Sequence, residues 1–284
     1  PSYNLINMDK KLMSFSINNN KTYIMGILNI TPDSFYDGGE YCNVEDIMPK
    51  VNNMINSGAD ILDIGAESSR PGSKRISAQE EIDRIVPIIE IIRSNTDIPI
   101  SIDTMKSEVM KEVVKYNIQI INDISSLSDS KSLEIIKDNN LILCLMHMQN
   151  TPETMQDNPT YSNVTKNVTD YLRNKMDYCI QNGLEKENII LDPGFGFGKT
   201  IDHNYELLNN INKFLEIHEH ILVGISRKSM IGNLLQKDVE NRLNGSIAAS
   251  VISVVNNAKI IRTHDVYETR LAISMINIIK SVNK

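Results

Sequence analysis

Hydrophobic residues in this chain gather into short, β-branched runs separated by longer segments with helical spacing. Eight runs stand out: YIMGILNI (23–30), ADILDIG (59–65), IPISID (98–103), IQIIND (118–123), LILCLMH (141–147), NIILD (188–192), HILVGIS (220–226) and KIIRTHD (259–265). Most lack the alternation of a strand with one face in water, which predicts parallel strands covered on both faces. Helix signals lie between them. Ser77 and Glu80 have capping-box spacing ahead of EIDRIVPIIEIIRS, and Gly58 and Gly183 follow VNNMINS and MDYCIQN where helices should stop. Pro87 should kink the helix that contains it. The connection from ISID to IQIIND leaves room for only a short helix.

Strands alternating with helices eight times in 284 residues predict an α/β (β/α)8 TIM barrel, with a doubly wound open sheet as the rival. No linker or shift in composition divides the chain. Residues 1–284 therefore read as a single domain, with residues 1–21 an N-terminal extension or a plug of the barrel.

The ends of the runs are polar: Asn29, Asp63, Asp103, Asn122 with Asp123, His147, Asp192, Ser226 with Arg227 and Lys228, and Arg262 with His264. In a parallel barrel these ends converge on the face where catalytic groups sit. Single members have plainer readings. Asp123 and Asp265 could cap the helices that follow, and a lone His147 suits a structural role. Capping explains the whole ring poorly. Asp63, Asp103, Asn122 and Asp192 together suit a flat heterocycle rich in N–H donors, whereas Arg262, His264, Lys228, Arg70 and Asn29 suit a phosphate or pyrophosphate.

The stretch LDPGFGFGKT (191–200) imitates a nucleotide-binding loop, but Pro193 stands where the first P-loop glycine belongs and Gly194, Gly196 and Gly198 alternate strictly. It reads instead as a site carboxylate, Asp192, followed by a turn that brings backbone close to a ligand. Two further loops, NITPDSFYDGGEY and AESSRPGSKR, have the make-up of rim loops that close over a ligand.

Composition narrows the setting. A net charge of −7 with no basic cluster argues against nucleic acid. No run approaches the about 18 apolar residues of a membrane span, and no secretory signal opens the chain. Cys42, Cys144 and Cys179 lack metal-ligand spacing, so a cytoplasmic protein with free thiols is expected.

The segments MGILNITPDSFYDGG, DIGAESSRPGS, SIDT, NDISS, MHMQNTPETMQ, LDPGFGFGKT, GISRKSMIG and RTHDV resemble, in order, the signature segments of the dihydropteroate synthase family, from about residue 23 to 266. The resemblance implies a barrel that joins 6-hydroxymethyl-7,8-dihydropterin pyrophosphate to p-aminobenzoate and releases pyrophosphate, in folate biosynthesis. It assigns the pterin to Asp63, Asp103, Asn122, Ile124, Met146, Asp192, Gly224 and Lys228. It assigns the pyrophosphate to Asn29, Arg70, Arg262 and His264, with Mg2+ on Asn29. The arylamine falls to Phe35, Ser69, Pro71, Phe197, Ser226 and Lys228. The catalytic set implied is Asp103, Asp192, Lys228 and Arg262, joined by Asp33 and Arg70 from the loops. Pyrophosphate leaves before the amine attacks, so no strong general base is required. A homodimer is implied, and the family is a target of sulfonamides.

Two departures are visible. Ala66 and Ser69 replace the commoner Gly and Thr of GESTRPG, so the arylamine pocket loses a methyl group, and MHMQN replaces MHMQG. A pterin-dependent methyltransferase would not need the TPDSF and SRPG loops. A noncatalytic pterin-binding module should have lost part of the anion set. A Schiff-base aldolase using Lys228 would carry its lysine within the strand.

Overall fold

The computed structural model describes residues 15–18, 21–30, 44–68, 73 and 75–282. Eight strands form: β1 (Tyr23–Asn29), β2 (Ile61–Gly65), β3 (Ile100–Asp103), β4 (Ile120–Asp123), β5 (Ile142–Met146), β6 (Ile189–Asp192), β7 (Leu222–Val223) and β8 (Ile260–Thr263). Between them run α1 (Val44–Asn56), α2 (Ala78–Asn95), α3 (Ser107–Val113), α4 (Ser132–Asp138), α5 (Val164–Gln181), α6 (Ile201–Asn209), α7 (Ile211–Phe214), α8 (Ser229–Leu235) and α9 (Leu243–Val255), and α10 (Val266–Val282) closes the described chain. All eight runs became strands, and the strands pair in parallel in the order β6-β5-β4-β3-β2-β1-β8-β7. A parallel bridge between Leu191 and Ile221 links β6 to the start of β7, where Leu191 N–H donates to the His220 carbonyl at 2.9 Å. The order follows the chain around a ring without the reversal that defines a doubly wound sheet. The fold is the (β/α)8 barrel.

The missing alternation of the runs has a simple cause: their two faces are buried in different cores. Ile61, Ile120, Ile142, Cys144, Ile190, Leu222 and Ile260 pack with Met25 and Tyr23 inside the barrel. The intervening residues, among them Leu62, Ile64, Ile121, Leu143, Leu145, Ile189, Leu191 and Ile261, belong to the larger core between strands and helices. Successive side chains on a strand point to opposite faces, so each run is apolar throughout. Ile17 joins the inner cluster beside Tyr23, whose ring meets Phe15 edge-on at 6.0 Å.

Several local signals can be scored. Gly58 and Gly183 follow α1 and α5 with φ of 97° and 92°, a left-handed turn that glycine adopts without strain. At α2 only half of the expected capping box forms. Ser77 Oγ accepts the Glu80 amide at 3.1 Å, while the Glu80 carboxylate takes Arg84 at 2.5 Å instead of reaching back. Helix α2 runs through Pro87 without ending. The short helix foreseen after β3 is α3, whose seven residues pass into a 3-10 turn.

Candidate active site

One step above the apolar floor of the barrel, the inward positions turn polar: Asp63 on β2, Ser101 and Asp103 on β3, Asn122 on β4, Asp192 on β6 and Arg262 on β8. Asp63 is not at a strand end, as the sequence reading placed it, but third of five residues in β2 and wholly buried. It is the hub of the layer. Its Oδ1 accepts Ser101 Oγ at 2.6 Å, and its Oδ2 accepts Arg262 Nε at 2.6 Å and Asn122 Nδ2 at 3.3 Å. The second arm of the same guanidinium donates from Nη2 to Asp103 Oδ2 at 2.8 Å. Arg262, grouped by its charge with anion binders, is thus interleaved with the carboxylates. A guanidinium carries five N–H bonds, and these contacts use two of them.

The layer is electrostatically tense. Burial pushes the Asp103 carboxyl up to about 7; Arg262 opposes this, while Asp63, Glu81 and Asp123 add to it. Burial likewise raises Asp192 against the pull of Lys228 and of the Gly194 amide, which donates to its Oδ1 at 2.7 Å. Lys228 is lowered to about 8 by burial, with Asp192 opposing. Its Nζ donates to the Phe195 carbonyl at 2.5 Å and lies 4.6 Å from the centre of the Phe197 ring. Asn122 Oδ1 is buried without a partner among the described residues. Carboxylates and an orphaned carbonyl in one dry layer are acceptors in search of donors.

Above this layer the inward positions become apolar again. Ile124, Met146, Met155 and Phe197 form a small buried cluster with Met105 and Met148 against it. Gly224 presents bare backbone beside Arg262; a side chain there would begin 3.7 Å from Arg262 Cβ. Polar edge below and flat apolar wall above is an arrangement that suits a heteroaromatic ring.

The turn after β6 is built as tightly as its sequence suggests. Gly194, Gly196 and Gly198 all have positive φ, at 70°, 82° and 62°. A Cβ on Gly194 would stand 1.9 Å from the His147 carbonyl oxygen, and one on Gly198 would stand 2.8 Å from Gln149. Helix α6 opens immediately beyond the turn. Thr200 and His203 close a full capping box there.

Parity separates structural polar groups from site groups. Asp123, His147 and Asp265 each stand one residue off an inward position. Asp123 accepts the Ser125 and Leu127 amides at 2.8 Å each, and Asp265 is forked by Arg227, with Nε at 3.0 Å. His147 is lowered to about 3 by burial and by Lys199, and it packs edge-on to Tyr171 at 4.9 Å. His147 is structural, as its plainer reading has it, but neither aspartate caps the following helix: Asp123 closes the turn to Leu127, short of α4 at Ser132, and the Asp265 carboxylate is taken by Arg227. Asn29, at the end of β1, is exposed, and its side chain has no hydrogen bond among the described residues. His264 is exposed too, with Nδ1 3.0 Å from Ser226 Oγ, which also accepts the His264 amide at 3.2 Å. Asp33, Phe35, Ser69, Arg70 and Pro71 lie outside the described residues.

The family of pterin binding enzymes matches residues 25–264. The chain belongs to that family. The dihydropteroate synthase of Escherichia coli K12 is 47% identical over 254 residues, 89% of this chain and 90% of its own length. The structure of Yersinia pestis dihydropteroate synthase with a sulfonamide drug superposes with a TM-score of 0.89 at 39% identity, covering 95% of this chain and 98% of the other. That of Xanthomonas albilineans dihydropteroate synthase in complex with 7,8-dihydropteroate does so at 0.83 and 33% identity, covering 93% and 95%.

Within this family barrel the sequence reading passed over two features. Lys199 was seen only as the end of a failed P-loop. Its Nζ is buried and donates to the carbonyls of Gly194 at 2.7 Å, Phe197 at 2.9 Å and His147 at 3.2 Å, with His147 Nδ1 at 3.1 Å. A lysine inside a glycine-rich turn, where carbonyls lack helical partners, was the available signal. The second is a chain of ion pairs on the rim: Glu153 to Arg75 at 2.5 Å, Arg75 to Glu67 at 2.6 Å, and Lys106 to both Glu67 and Glu81 at 2.5 Å. Nothing in the spacing of these residues announces it.

Proposed function

We propose that the chain is a dihydropteroate synthase, a transferase that condenses 6-hydroxymethyl-7,8-dihydropterin pyrophosphate with p-aminobenzoate to give 7,8-dihydropteroate and pyrophosphate. The observation that carries this is the inward layer of Asp63, Asp103, Asn122 and Asp192 threaded by Arg262, beneath the wall of Ile124, Met146 and Phe197. The pterin edge offers N–H donors, and this layer offers buried acceptors lacking them. The chain resembles known synthases over most of its length, which supports the same reading.

The residues present suggest how the step proceeds. Loss of pyrophosphate from the methylene carbon leaves positive charge on the pterin, which Asp103 and Asp192 stabilise from fixed positions in a dry site. Arg262 holds Asp63 and Asp103 while its remaining N–H groups meet the departing phosphate. His264, steadied by Ser226, and Arg70 complete the anion site. The amine nitrogen attacks with its own lone pair, and Phe197 and Lys228 flank it, with Phe35, Ser69 and Pro71 supplied by the rim loops.

Mg2+ takes oxygen ligands and keeps waters and substrate phosphates around itself, so one exposed amide oxygen such as that of Asn29, which has no hydrogen bond among the described residues, fits it. When bound it neutralises charge on the leaving group. Asp33 is a second candidate near the same strand end in sequence. Among the described residues no group of three or more His, Cys, Asp or Glu side chains could hold a metal.

We further read the protein as a cytoplasmic homodimer. No helix among the described residues is long and apolar enough to cross a membrane, and Cys144 and Cys179 are free thiols. Tyr267, Leu271, Met275, Ile278 and Ile279 make one exposed apolar face of α10, the kind of surface a second copy would cover. Size-exclusion chromatography with light scattering tests the dimer.

The test of function is dihydropteroate formation from the two substrates, with and without Mg2+, beside Asp192→Asn. Product that needs both substrates and falls at least about 100-fold in the variant is expected. Pterin binding without product would leave a binding module in place of the enzyme.

A further inference from the structure

Glu81 is an anomaly in the first turn of α2. It is 1% exposed, on a helix whose other acidic residue in that turn, Glu80, lies at the surface. One carboxylate oxygen, Oε2, accepts Lys106 Nζ at 2.5 Å. The other, Oε1, is buried and has no hydrogen-bond partner among the described residues. Leaving a carboxylate oxygen dry and unpaired is costly, so a group other than the described side chains satisfies it.

The place it lines is a cavity of about 10 Å³, walled by Glu67, Glu81, Asp103, Thr104 and Lys106 with Ile124. That volume is about one water molecule, and the walls are polar enough to bind one. Asp103, a member of the layer proposed to read the pterin, lines the same cavity. Glu81 is among the charges that push the Asp103 carboxyl upward, together with Asp63 from β2 and Asp123 from β4, against Arg262 from β8. Lys228, ahead of α8, also senses Asp103. Glu81 itself is faced by Lys106 from the β3–α3 loop, and Lys106 is shared with Glu67 from the end of β2, which Arg75 holds in turn.

We propose that Glu81 is a positioning residue for the reaction: its free oxygen and the Asp103 carboxyl share one ordered water, and its charge sets the protonation state that Asp103 presents to the pterin. The inference rests on the reading of Asp103 as a pterin ligand. As a carboxylate, Asp103 accepts N–H donors with both oxygens; once protonated it loses part of that capacity. Pterin binding therefore weakens as pH falls through the titration of Asp103, and Glu81 decides where that fall lies. A residue that merely supported Lys106 would alter stability and leave this midpoint alone.

The experiment follows the Asp103 carboxyl by 13C NMR in aspartate-labelled full-length protein without ligand, with Asp103→Asn to assign the resonance. In parallel, the affinity for pterin-6-carboxylate is measured from pH 5.5 to 8.5. Glu81→Gln removes a like charge beside Asp103 and should move both midpoints downward by about half a pH unit or more. Glu81→Asp keeps the charge and should stay near the wild-type midpoint, and thermal melts establish that both variants fold. Equal Asp103 midpoints in wild type and Glu81→Gln would overturn the inference. A shifted Asp103 titration with no pterin binding at any pH would remove the pterin reading and spare the coupling.

Discussion

Three alanine substitutions in the turn after β6 should separate by amounts the geometry sets. Gly194, Gly196 and Gly198 share a left-handed backbone, so alanine at any of them costs about 1–2 kcal/mol from that alone. Their surroundings differ. At Gly196 the new methyl meets Lys228 Cδ at 3.3 Å, a flexible side chain that can yield, so the total should stay near the backbone cost. At Gly198 it meets the Gln149 backbone at 2.8 Å and requires a shift of some tenths of an ångström. At Gly194 it falls 1.9 Å from the His147 carbonyl oxygen, an overlap no rotamer relieves. The turn must then leave β5, weakening the Lys199 contacts to Gly194 and His147 and drawing the Gly194 amide away from Asp192. With the loss of hydrogen bonds at about 1 kcal/mol or more each, Gly194→Ala should cost about 3–5 kcal/mol. Urea denaturation gives the stabilities and pterin titration gives the effect on Asp192. A Gly194→Ala protein no less stable than Gly196→Ala would refute the reasoning.

Lys199→Met removes the donor that gathers three carbonyls while keeping most of the side-chain volume. A net loss of about 2–3 kcal/mol is expected, together with a rise in KM for p-aminobenzoate larger than that for the pterin substrate, because Phe197 is the residue the turn presents; steady-state kinetics checks the split. Acid should act through His218, whose ring is buried, meets His220 at 4.7 Å and lies 2.7 Å from the Ile189 carbonyl. Burial lowers it to about 4, whereas in the unfolded chain it titrates near ~6.5. Between those values the unfolded state holds the extra proton, so its contribution to stability is complete above ~6.5 and is lost as pH falls toward 4. Raised carboxyls such as Asp103 push the other way, so the measurement is a difference. His218→Gln should flatten the slope of stability against pH in that window by up to about 1.4 kcal/mol per pH unit, read by urea melts, and unchanged slopes would sink the assignment.

Much of the fold was legible because a parallel barrel buries its strands on both faces and therefore writes each as a continuous apolar run. The same fact hid the orientation of the side chains. With both faces apolar, nothing in ADILDIG says that Asp63 lies on the inner face, level with Ser101, or in RTHD that Arg262 turns inward and Asp265 outward. Register across the barrel settles this, since Asp63 pairs with Ser101 and Asp103 with Asn122. Sorting residues by charge therefore put Arg262 in a group apart from the carboxylates it joins. The ion pairs of Glu67, Arg75, Lys106 and Glu81 were invisible for a different reason: Lys106 reaches back 39 residues to Glu67 and 25 to Glu81, and no periodicity relates them.

Arg262 explains how so many acids coexist beneath one ligand. Asp63, Asp103 and Asp192 share the interior with Arg262 and Lys228, and both Asp103 and Asp192 are raised by burial, so the layer's own residues are short of positive charge or donors. A ligand bringing N–H donors, and positive charge as its bond to pyrophosphate breaks, supplies what is missing, and the deficit is relieved most where that charge is greatest. Binding strongest at the point of bond breaking is what catalysis requires. By the same logic Arg262 has a double task that lysine cannot perform. A single ammonium could reach Asp63 or Asp103 but could not brace both with a planar fork and still present N–H bonds to a phosphate. In that geometry the arginine keeps both acids in place, and under the proposed mechanism the same fork would meet the leaving group.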